Sequence, residues 1–80
     1  MKLDIKLGEL YQYLSEQTLY VRHESQSCEI RQGELLVFLE LFDDDLFRGL
    51  SVYKVLTLTC FIGMIAVRSA DEFVLAKTAI

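Results

Sequence analysis

Eighty residues make one domain and leave no room for a second core. Apolar residues (AVILMFWYC) are 52% of the chain and four glycines come on top, so the apolar share passes the ~45–50% usual for a soluble domain. Eight basic residues stand against twelve acidic ones, a net charge of −4, which argues against a phosphate backbone as the natural partner.

The segment Met1–Lys6 alternates charged with apolar residues, unlike a secretory leader, and Lys2–Leu7 reads as a flexible lead-in or edge strand. Leu7, Leu10, Tyr11 and Leu14 recur at helical spacing, with Glu9, Gln12 and Glu16 on the other side. This predicts an amphipathic helix over Leu7–Gln17. From Thr18 the period shortens to two. Leu19, Val21 and His23 alternate with polar neighbours, as do Cys28 and Ile30, so two short strands flank the polar turn Ser25–Ser27.

Gln32-Gly33 interrupts that pattern, and Glu34 opens a second predicted helix with a carboxylate at its positive end. Seven of the eight residues Leu35–Phe42 are apolar, which suits a helix buried nearly all round. Three aspartates (Asp43–Asp45) and Gly49 are poor helix-interior residues, so a bend is expected over Asp43–Gly49. A third helix is expected from Ser51, whose hydroxyl can cap it, to Cys60. Phe61–Val67 is β-branched and contains Gly63, so it reads as a strand. After the polar Arg68–Asp71, the segment Phe73–Ile80 returns as its hairpin partner. Its rival is a short helix behind the capping box Ser69-x-x-Glu72.

Chemistry is sparse. The single histidine, His23, has no positioned partner for general acid–base work, since Glu24 falls on the opposite face of the strand. His23, Glu24 and Cys28 lack a second pair of ligands at finger-like spacing. Asp43–Asp45 lacks the alternating oxygens, glycine and closing glutamate of a calcium loop. The thiols Cys28 and Cys60 are read as free, in a reducing cytoplasm. The uncharged run Val55–Val67 has 13 residues, short of the ~20 a spanning helix needs. The expectation is therefore no catalytic residue, no metal and no cofactor.

The segment from Leu50 to Lys77, LSVYKVLTLTCFIGMIAVRSADEFVLAK, resembles the second helix and wing of winged helix-turn-helix domains. That resemblance implies DNA contacts from Arg48, Ser51, Lys54, Thr57 and Arg68, with Asp43–Asp45 close enough to repel the backbone. The sequence as a whole reads as an α+β domain, mainly helical, with about three helices and short β-hairpins, winged-helix-like in order. The expected function is that of a small regulatory or adaptor protein acting by protein–protein binding, as a homodimer or higher oligomer. Tyr13, Phe47 and Tyr53 are its expected contacts, and Asp43, Asp44 and Asp45 a polar rim. DNA binding and membrane association are the alternatives.

Overall fold

In the computed structural model, which describes residues 5–45, 49–59 and 61–76, the chain is built from strands. They are β1 (Leu10–Tyr13), β2 (Leu19–His23), β3 (Gln26–Ile30), β4 (Leu35–Asp45), β5 (Leu50–Thr57), β6 (Ile62–Val67) and β7 (Phe73–Leu75). One 3-10 turn, Ala70–Glu72, precedes β7. All pairings are antiparallel, in a single sheet of order β3-β2-β6-β5-β4-β1-β7.

Connection lengths force this sheet to roll. β3 and β4 are four strand positions apart, about 19 Å across a flat sheet at ~4.8 Å per step. The chain from Ile30 to Leu35 could span only about 17 Å if fully extended. It is not extended, because a turn closes with Glu34 N–H donating to the Arg31 carbonyl at 3.0 Å. Gly33 holds φ +90° in that turn, a conformation that side chains resist. The turn is then fastened to the end of β1: Gly33 N–H donates to the Tyr13 carbonyl (2.7 Å), and Tyr13 N–H to the Glu34 carbonyl (2.9 Å). The sheet has to curl until the β3–β4 connection reaches across it.

The inside of the roll is the core. Tyr11, Tyr13, Val21, Ile30, Leu36, Phe38, Tyr53, Val55, Ile65, Val67 and Phe73 are buried there. Phe38 is its centre, with ring centroids of Tyr11, Tyr53 and Phe73 at 5.2, 5.1 and 5.1 Å, all edge-on. Tyr11 keeps its hydroxyl satisfied by accepting from Lys6 N–H at 2.8 Å. β4 carries two bulges against β5, one between Phe38 and Glu40 and one between Leu41 and Asp43. Such extra residues bend a strand and increase its twist, which serves the roll.

Several expectations are corrected. The fold is not a mainly helical α+β one, and no α-helix occurs among the described residues. The winged-helix resemblance therefore falls with it. Leu7–Gln17 is not a helix but β1 with flanking loops, Tyr11 and Tyr13 facing inward while Leu7 and Leu14 are exposed. The expected second and third helices are β4 and β5, and β4 runs through Asp43–Asp45 without a break. β2 and β3 do form a hairpin, with the turn at Glu24-Ser25. β6 stands where a strand was expected, but β7 pairs with β1 and not with β6. Ser69 does cap, its hydroxyl accepting from Asp71 N–H, yet only a single 3-10 turn follows. Most of the expected lead-in strand, the residue Cys60 and the end of the expected last strand lie outside the described residues.

Candidate functional site: the outer face of β4, β5 and β6

An antiparallel sheet whose outer face meets water normally alternates apolar-in with polar-out. β5 alternates in burial without a fault, yet its outward positions Leu50, Val52, Lys54 and Leu56 include three aliphatic residues. The same holds on either side. β4 turns Leu35 and Val37 outward, and β6 turns Ile62, Met64 and Ala66 outward. The register makes rows of them: Leu10, Val37, Leu56 and Ile62 lie side by side across four strands. The next row is polar at its centre, with Glu40 opposite Lys54, then Met64 and Arg22. Ile62 is 46% exposed, and Leu39, at the first bulge, is 38% exposed. The outer face is thus an aliphatic surface around a row that carries Glu40, Lys54 and Arg22. Glu40 and Lys54 are direct cross-strand neighbours, but neither forms an ion pair among the described residues, where Arg31–Glu29 on the rim is the one present.

At one end of the roll, where the chain passes from β1 to β2, an open hollow of about 360 Å³ is lined by Tyr13, Leu19, Leu50, Arg68 and Glu72, among others. Its two charges, on Arg68 and Glu72, are opposite in sign. Among the described residues, no group of three or more His, Cys, Asp and Glu could hold a metal ion. His23 sits exposed at the end of the β2–β3 hairpin, and Cys28, a free thiol, lies 3.8 Å from the Thr59 hydroxyl.

The residues singled out from sequence distribute unevenly over this frame. Tyr13 and Tyr53 are 2% and 3% exposed; they are core residues, and their burial corrects the expectation that they contact a partner. Asp43 is exposed beside Val52 at one end of the outer face. Asp44 and Asp45 continue β4 opposite Ser51 and Leu50. Phe47 and Arg48 lie outside the described residues. Of the residues tied to DNA, Ser51 and Thr57 are buried on the inner face, which corrects their expected exposure. Lys54 is on the outer face, and Arg68 borders the hollow. They form no common basic surface. What sequence reasoning missed is the aliphatic set Val37, Leu56, Ile62 and Met64. Its signal was present as apolar runs with no alternation, which fit a strand apolar on both faces as well as a buried helix.

No protein family, curated protein or solved structure compared with the chain matches it. No helix among the described residues is long and apolar enough to cross a membrane.

Proposed function

We propose that this chain works by binding protein, without catalysis, and that the outer face of β4, β5 and β6 is the binding surface. One observation carries the reading: most outward positions of three adjacent central strands are aliphatic where a solvated sheet would be polar. Contiguous aliphatic surface of this kind gains about 25 cal/mol for each Å² removed from water, so a second surface laid on it is held by the same force that built the core. Asp43 at the rim and the Glu40–Lys54 pair at the centre supply direction, since charges fix register and exclude wrong partners more than they add affinity. The role is that of a small regulatory or adaptor protein, placed in the cytoplasm, where the free thiol of Cys28 would stay reduced.

The test is photo-crosslinking in cells that naturally make the protein. A photoreactive residue at position 37 or 56 should give one discrete protein adduct, and one at Ser27, on the rim strand β3, should give none. An adduct at position 27 with nothing at 37 and 56 would remove the outer face from consideration.

A further inference from the structure

We infer that the surface laid on this outer face is a second copy of the same chain, packed sheet on sheet about a two-fold axis that runs along the strands between β4 and β5. The inference rests on the reading of the outer face as a protein-binding surface and names its occupant. Charge complementarity carries it. Glu40 and Lys54 sit side by side on neighbouring strands, facing outward, and neither has an ion pair among the described residues. Two in-plane two-fold axes could bring the outer faces together. An axis across the strands sets Glu40 over the other copy's Glu40 and Lys54 over its Lys54. An axis along the strands, midway between β4 and β5, sets Glu40 over Lys54 of the other copy and Lys54 over Glu40. Only the second satisfies the charges, and it does so twice, because a two-fold contact repeats each pair.

The same axis also brings the apolar residues into register. Val37 and Leu56 are cross-strand neighbours, so Val37 of each copy meets Leu56 of the other, next to the charged row. The strands of the two sheets then run nearly parallel, the aligned arrangement with sheets ~10 Å apart. A glutamate and a lysine reaching towards each other can bridge that gap.

Sedimentation equilibrium of the full chain from about 1 µM to about 1 mM tests this. The wild type should reach twice 9.2 kDa. Glu40→Lys sets an ammonium group over Lys54 of the other copy, and Lys54→Glu sets a carboxylate over its Glu40. Each should raise the dimer dissociation constant about tenfold or more, less so at high salt. Mixed together, the two variants restore opposite charges at both contacts, as follows from their makeup: one chain carries two bases and the other two acids. They should therefore form a heterodimer, which chains that had merely unfolded would not do. A wild type that stays at 9.2 kDa at the highest concentration overturns the second copy, while leaving the crosslinking result to decide whether the face binds another protein. A dimer that survives Leu56→Glu lies on another surface and overturns the second copy as occupant, again leaving the crosslinking to decide whether the face binds another protein. A dimer lost in Leu56→Glu but indifferent to both charge reversals keeps the face and overturns this axis.

Discussion

At Gly63 strand β2 comes too close to β6 to leave room for a side chain, and Gly63→Ala tests that packing. A Cβ there would lie 2.7 Å from the Arg22 carbonyl oxygen and 2.8 Å from Val21 Cγ1. Both approaches fall about 0.6–0.7 Å short of ordinary van der Waals contact, well inside the repulsive wall. The first obstacle is backbone and cannot rotate away. The second belongs to a valine that is fully buried, so strand β2 as a whole must move. Inserting one carbon into a close-packed site costs about 1–3 kcal/mol. Alanine returns about 0.4–1 kcal/mol by restricting the unfolded chain, because Gly63 does not use a left-handed backbone. The net loss is therefore about 1–2 kcal/mol out of the ~4–12 expected for 80 residues. At ~4–8 °C per kcal/mol, the melting temperature should fall by roughly 5–15 °C. Urea and thermal unfolding followed by circular dichroism, at one fixed protein concentration, measure it. Ala66→Val on the exposed outer side of the same strand should change stability by less than about 0.5 kcal/mol. A Gly63→Ala chain as stable as the wild type would mean that β2 does not pack on β6 in this way.

Three other substitutions probe the frame. Phe38→Ala removes the ring on which Tyr11, Tyr53 and Phe73 converge and should cost about 3–5 kcal/mol, enough to leave a large unfolded fraction at 37 °C by circular dichroism. Gly33→Ala forces a side chain into φ +90° at the turn tied to Tyr13 and should lower the urea midpoint by the equivalent of about 1–2 kcal/mol. Glu24 holds φ +54° at the β2–β3 hairpin, so Glu24→Gly should raise stability by about 0.5–1 kcal/mol in the same assay.

The β2–β3 hairpin and β6 were legible because their residues alternate or are β-branched, and no bulge disturbs them. β4 was not. Its outward Leu35 and Val37 are as apolar as its inward Leu36 and Phe38, and the bulges at Leu39 and Phe42 shift the phase twice. With alternation erased, the apolar run Leu35–Phe42 imitated a helix buried nearly all round. β5 was hidden for the opposite reason. Its inner face carries Ser51 and Thr57 beside Tyr53 and Val55, while Val52 and Leu56 lie outside, so hydropathy no longer separated the two faces. Thr57 is accommodated by its own bonds, its hydroxyl lying 2.9 Å from that of Thr59 and accepting from Phe61 N–H at 3.2 Å. The candidate surface was illegible for the same reason as the strands: aliphatic residues on the outer face of a sheet read, in one dimension, as core.

The exchange of roles between tyrosine and aliphatic residues follows from the roll itself. A single curled sheet has no second layer to fill its interior, so its inner side chains must reach one another across the hollow. Phenylalanine and tyrosine do this best, each burying about 150–250 Å² from one backbone position. Tyr11, Tyr13, Tyr53, Phe38 and Phe73 therefore go inside, where the edge-on contacts of Phe38 join β1, β5 and β7 to β4. Valine, leucine and isoleucine, too short to fill the roll alone, are left to make up the outer side of the same strands. The outward rows of β4, β5 and β6 around Leu56 and Lys54 are thus aliphatic rather than aromatic, while Phe42 at the second bulge and Tyr20 on β2 stay exposed. The contact these rows make should be a dry, sheet-on-sheet one, whose energy is spread over Val37, Leu56, Ile62 and their neighbours instead of concentrated in one aromatic anchor. Alanine at any one of these positions should then weaken association by about 1 kcal/mol, and none by the roughly 4 or more of a dominant hot spot. Single-site titration of dimerisation across positions 37, 56 and 62 decides it: one position carrying nearly all the energy would mean that the partner inserts into a pocket, not onto a face.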